Sequence, residues 1–107
     1  MREMMLSEDY KKWVDENIRL IILKDLADPR SGGSTNTFLI QKSLERFSYK
    51  KSRDYICNQL LWMEENTGAV KTRTEGTETS AVLTRAGRDH VEGRHYLSGI
   101  QKPGDAE

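Results

Sequence analysis

The sequence predicts a mainly helical α+β domain built from three helices, a β-hairpin and a C-terminal helix. Three observations carry this expectation. Apolar residues between positions 36 and 66 recur at spacings of three and four, the period of two amphipathic helices joined by a tight turn. Glu64-Glu65-Asn66-Thr67-Gly68-Ala69-Val70 reads as the close of a helix and the opening of a strand. Leu83-Thr84-Arg85-Ala86-Gly87 reads as the close of a second strand and the start of another helix.

The first helix is expected over residues 7–27. Tyr10, Trp13, Val14, Asn17, Ile18, Ile21 and Ile22 fall along one stripe, and Ser7 followed by Glu8 and Asp9 makes an N-cap with acids in the first turn. Leu20, Leu23 and Leu26 widen the apolar surface beyond one core face. That fits a helix packed on several sides or one that also meets a second subunit. Asp28 to Thr35 is a loop by composition. Its Gly32-Gly33-Ser34-Thr35 run invites comparison with a phosphate-cradling loop, but it lacks the lysine and the preceding strand, so a flexible connector is expected.

Asn36 or Thr37 caps the second helix, which runs to about Phe47 with Ile40, Leu44 and Phe47 facing inward. Ser48-Tyr49-Lys50 makes the turn. The third helix starts near Lys51 or Ser52 and runs to about Asn66, with Ile56, Leu60 and Met63 toward the core. Lys51, Asp54, Tyr55 and Asn58 then lie on its opposite face, with Leu61 and Trp62 at the margin. Ala69 to Thr84 is rich in Thr and Val and is divided by Glu75-Gly76-Thr77-Glu78, the pattern of a hairpin with a polar tip. Thr84 caps a last helix to Glu92, which Gly93 ends; Gly87 inside it costs about 1 kcal/mol against alanine. Residues 1–95 are thus expected as one domain, and 96–107 as a disordered polar tail.

Composition bounds the function. The chain has 107 residues, with seventeen basic and seventeen acidic side chains, so the net charge is zero. A DNA-binding domain usually carries a basic excess. The balance is uneven: residues 1–30 hold six basic and seven acidic residues, while Lys50 to Asn58 hold Lys50, Lys51 and Arg53 against Asp54. Cys57 is the only cysteine, which excludes an internal disulfide and a cysteine-rich zinc site. No apolar run is long enough to span a bilayer, the first residues are too polar for a signal peptide, and the cytoplasm is the default location.

At Gly68-Ala69-Val70 and at Leu83-Thr84-Arg85-Ala86-Gly87-Arg88-Asp89-His90-Val91-Glu92-Gly93 the chain resembles small bacterial winged helix-turn-helix regulators, the broad group of MarR-, PadR- and ArsR-type repressors. In that group a helix ends in glycine before the first wing strand, and the second wing strand ends in Leu-Thr with Gly three residues after the Thr. The likeness covers about residues 15–93. The whole chain is also similar to small winged-helix proteins of Mu-like bacteriophages. The resemblance implies sequence-specific binding of double-stranded DNA by a transcriptional regulator of bacterial or phage origin.

On that reading Lys50, Lys51 and Arg53 stand at the groove-facing end of the third helix. Their charges neutralise phosphates, and Arg53 can instead read guanine. Asn58 can pair with adenine, Tyr49 and Tyr55 can touch sugar or phosphate, and Lys71 and Arg73 are the wing's candidates. Lys51 and Arg53 are the strongest of these. A homodimer through the first and last helices is expected, because paired half-sites multiply affinity. Asp54, Glu75 and Glu78 count against the reading, since phosphate repels them. The alternative is a protein-interaction module that uses Tyr55, Leu61, Trp62 and the apolar first helix. No enzyme, cofactor or metal is expected. His90 and His95 with Asp89 and Glu92 could make a surface metal site, but two exposed histidines at a helix end is the simpler account. Cys57 has Lys51 and Arg53 nearby in sequence, yet reads as a packing residue beside Ile56.

Overall fold

The structure, a computed structural model, describes the backbone of residues 2–106 and the side chains of residues 8–104. Among these residues the chain is α+β and mainly helical, with four α-helices and a three-stranded antiparallel sheet. In chain order they are α1 (Arg2–Ala27), β1 (Ser34–Asn36), α2 (Thr37–Arg46), α3 (Arg53–Asn66), β2 (Val70–Glu75), β3 (Glu78–Leu83) and α4 (Arg85–Val91). The helix begins before the Ser7 expected to cap it, and that side chain lies outside the described range.

α1 is the spine. Ile18, Leu20, Ile21, Ile22, Leu23 and Leu26 are all buried, which is possible only for a helix packed on several sides. It meets α2, α3, α4 and the sheet. A helix of 26 residues runs about 39 Å, close to the molecule's longest dimension of 43 Å. Among its described side chains burial begins at Val14, and Tyr10 and Trp13, expected on the buried stripe, are 66% and 58% exposed.

The structure chooses Asn36 over Thr37 as the cap of α2 and makes Ser52 the cap of α3. Asn36 accepts from the Leu39 amide at 2.9 Å, and Ser52 accepts from the Tyr55 amide at 3.0 Å. Ile40 and Leu44 of α2 pack against Ile56, Leu60 and Met63 of α3 in one core. Phe47 departs from expectation: it is the C-cap of α2, and the chain turns at Ser48, leaving its ring exposed.

The sheet order is β1-β3-β2, both pairs antiparallel. The hairpin registers Val70 with Leu83 and Thr72 with Ala81, so Val70 and Ala81 enter the core. Gly68, with φ +70°, makes the reversal from α3 into β2, a conformation glycine adopts without strain; its amide returns to the Met63 carbonyl at 2.9 Å. β1 corrects the sequence reading, which took residues 28–35 for a flexible connector. Ser34 pairs with Val82 and Asn36 with Ser80, and a short turn at Pro29–Ser31 precedes the strand. Three polar residues after two glycines carry no strand period, so only the distant partner reveals the strand.

The chain beyond α4 corrects two further expectations. His90 is fully buried, not a surface histidine. Its Nδ1 accepts the Leu97 amide at 2.9 Å, so Nε2 carries the proton and donates to the Gln101 carbonyl at 2.9 Å. Both nitrogens are thus used, which removes His90 as a metal ligand; among the described residues no group of three His, Cys, Asp or Glu is arranged to hold an ion. The expected disordered tail instead folds back from residue 96: Ile100 is buried, the Gln101 amide donates to the Glu16 carbonyl, and Arg19 donates to the Gly99 carbonyl at 2.7 Å. Replacing His90 by Ala removes the common anchor of this segment. Urea unfolding is expected to show a loss of about 2 to 3 kcal/mol, with faster exchange of the Leu97 amide. Unchanged stability would contradict the anchor.

Candidate nucleic-acid interface

The segment between α2 and α3 is held by α2 and α1, and the first turn of α3 is tied to α1 as well. Gln41 Nε2 donates to the Lys51 carbonyl at 2.9 Å, and Asn17 Nδ2 donates to the Tyr49 hydroxyl at 2.8 Å. The Tyr55 hydroxyl donates to Asp15. Burial first, and then the hydrogen bond to Asp15, raises the Tyr55 ionisation above the ordinary tyrosine range, so the hydroxyl remains a donor. The segment is therefore presented as a fixed shape rather than a loose loop.

Cations project from it. Lys50 and Arg53 are exposed, and Lys51 is half-buried with its ammonium 4.6 Å from the Tyr55 ring. The Arg53 guanidinium lies 5.5 Å from the Phe38 ring centre, and the Lys42 ammonium lies 5.6 Å from the same ring. Phe38, Lys42 and Arg46 escaped the sequence reading. Lys42 stands one helical turn after Phe38, and that spacing was the available signal. Residues 42–54 carry Lys42, Arg46, Lys50, Lys51 and Arg53 against Glu45 and Asp54, a basic excess within a neutral chain.

Two expected contacts point elsewhere. Tyr49 and Tyr55 turn their hydroxyls to α1, as just described: Tyr55 donates its proton to Asp15, and Tyr49 accepts from Asn17. Trp62, expected at the exposed margin, is half-buried beneath Arg19, whose guanidinium carbon lies 3.8 Å from the ring centre. Arg19 Nε also donates to Gln59 Oε1 at 2.7 Å. The outward face of α3 consists of Arg53, Asp54, Asn58, Leu61 and Glu65. Cys57 sits toward the sheet, its Sγ 3.5 Å from Thr79 Oγ1.

The hairpin alternates as a strand pair must. Val70 and Thr72, with Ala81 and Leu83 opposite, face the body, while Lys71 and Arg73 project outward with Ser80 and Val82. Lys71 and Arg73 thus stand on a different element from the α3 cations. Arg73 is paired with Glu75 at 2.8 Å, an exposed pair of small energetic weight, and Glu78 accepts from the Thr37 hydroxyl. Glu64 ties the hairpin to α3: its carboxylate accepts from the Thr72 hydroxyl at 2.6 Å and the Thr72 amide at 3.1 Å. Those bonds lower its pKa from 4.5. A carboxylate lowered on folding stabilises the fold fully above 4.5, and the contribution is lost as pH falls through the folded value. The stability difference between wild type and Glu64→Gln is therefore expected to be largest near neutrality and to vanish in acid. A pH-independent difference in urea unfolding would contradict the role given to the carboxylate.

Comparison with known proteins yields one relative of note. The chain is 30% identical over 88 residues to "Uncharacterized protein gp26" of Escherichia phage Mu, an alignment covering 82% of this chain and 88% of that protein. No family model matches the chain. No solved structure matches it. No helix among the described residues is long and apolar enough to cross a membrane.

Proposed function

The chain belongs to one family with the phage Mu protein gp26; from its own fold and residues we propose that it is a winged helix-turn-helix protein that binds double-stranded DNA as a transcriptional regulator. The observation that carries the proposal is the pinned segment before α3, which presents Lys50, Lys51 and Arg53 at one helix end with Lys42 and Arg46 beside them in sequence. A major-groove helix works in this way: phosphate contacts hold its end in register, and outward side chains such as Asn58 meet base edges. The helix-turn-helix is α2 and α3, and the hairpin of β2 and β3 is the wing, with Lys71 as an exposed cation and Arg73 able to exchange Glu75 for a phosphate. The order of helices and the β1-β3-β2 sheet are compatible with this fold.

Asp54, Leu61 and Glu65 on the outward face of α3 favour a second reading, a module that docks on another protein without touching DNA. Salt separates the two. Fluorescence anisotropy with mixed-sequence duplex DNA is expected to show binding at low salt that weakens with a log–log slope of about −0.9 per phosphate contact. Absence of binding at low salt would overturn the proposal and favour the docking module.

A further inference from the structure

We propose that Phe38 packs on a deoxyribose of the DNA backbone while Lys42 and Arg53 bind the phosphates next to that sugar. The ring thereby supplies a part of the affinity that salt does not weaken. The inference rests on the DNA-binding reading and extends it to a side chain without charge. Phe38 lies in the first turn of α2 and is 41% exposed. Gln41 and Lys42 follow it by three and four residues, which places all three along one face of the helix. That face meets the start of α3. Gln41 Nε2 donates to the Lys51 carbonyl at 2.9 Å, and the Arg53 guanidinium lies 5.5 Å from the Phe38 ring centre. The Lys42 ammonium lies 5.6 Å from the same ring. The ring is thus held at the seam of the two helices, with one cation from each beside it.

A ligand that satisfies this arrangement is apolar over the ring and anionic on either flank. A DNA strand has that alternation, because each deoxyribose stands between two phosphates and its carbon face is uncharged. In a helix-turn-helix the first helix crosses the backbone while the second enters the groove, so a ring on α2 meets sugar rather than a base edge. Both cations remain available, since a ring face at so open a site holds a cation weakly. Two acids stand nearby. Glu45 approaches Lys42 at 4.0 Å, but both side chains are about half exposed, and such a pair yields readily to a phosphate. Asp54 follows Arg53 and is exposed. Lys42, Arg46, Lys50, Lys51 and Arg53 outnumber these two acids, so the surface around the ring stays basic.

Fluorescence anisotropy of the full chain with duplex DNA, across a salt series, tests it. Phe38→Ala is expected to lower affinity on the order of tenfold at every salt concentration. The slope of log affinity against log salt is expected to stay the same, because no charge is lost. Lys42→Ala is expected instead to flatten that slope by about 0.9. Phe38→Leu keeps an apolar side chain and packs in nearly the same space, so a smaller loss with the same slope is expected. The loss is expected to be equal on A·T-rich and G·C-rich duplexes, since every nucleotide carries the same sugar. A wild type that binds no duplex overturns the DNA reading and this inference with it. Wild-type binding that neither Phe38 variant weakens overturns this inference alone. A flattened slope in the Phe38 variants would make the ring a support for Arg53. A loss confined to A·T-rich DNA would assign the ring to the thymine methyl. Either result overturns the sugar contact.

Discussion

Changing Lys50, Lys51 and Arg53 together to Ala is expected to abolish measurable duplex binding at moderate salt while the protein unfolds at the same urea concentration as the wild type. The three side chains contribute differently. Each lysine held near a phosphate releases counterions on binding, so its loss flattens the salt slope by about 1. Arg53 can make two parallel bonds to a guanine or a phosphate, worth about 1 to 3 kcal/mol, or roughly 5- to 150-fold in affinity. The fold should change little. Lys50 and Arg53 are exposed, the ring contacts of Lys51 and Arg53 are weak at so open a site, and the Lys51 carbonyl keeps its bond to Gln41 when the side chain is alanine. Binding retained with an unchanged slope would remove this segment from the interface and leave the docking reading in its place.

Gly87→Ala is expected to destabilise the fold strongly despite its favourable helix propensity. On an exposed helix the substitution would gain about 1 kcal/mol. Here a Cβ at position 87 would lie 2.3 Å from the Ala69 carbonyl oxygen and 2.7 Å from Leu83 Cδ1. The first is backbone, and it is already engaged: the same carbonyl accepts the Thr84 amide at 3.1 Å. Neither the α3–β2 connection nor the start of α4 can withdraw without breaking that bond, so the added methyl should cost about 2 kcal/mol or more net. Urea unfolding measures it, and a variant more stable than wild type would contradict the close approach of the two backbones.

Those glycines mark what a sequence can and cannot say. Gly68 after a helix and Gly87 after Leu-Thr were legible as signals, and the caps Asn36 and Thr84 were legible because a cap acts on amides two or three residues away. The core was legible where period and burial agree, at Ile18, Ile22, Ile40, Leu44, Ile56, Leu60 and Met63. The losses share a physical cause, which is that the deciding partner is remote in sequence. β1 exists because Val82 and Ser80 lie beside it, and His90 is internal because Leu97 and Gln101 return to it. Tyr55 and Trp62 sit where the outer face of α3 meets its inner one, and α1 decides the matter by offering Asp15 and Arg19. At the candidate interface the run of Lys50, Lys51 and Arg53 could be read directly. The Gln41 bond that holds it, and the Phe38 ring between Lys42 and Arg53, could not.

The most direct test of the central claim is to map the duplex on the protein by nitrogen-15 heteronuclear NMR, titrating a mixed-sequence DNA at low salt. The largest shifts are expected on the amides of residues 48–58 and of the hairpin tip around Lys71 to Glu78, and raising the salt is expected to reverse them. Shifts confined to Tyr10, Trp13 and Phe47, or no shifts at any DNA concentration, would contradict the claim.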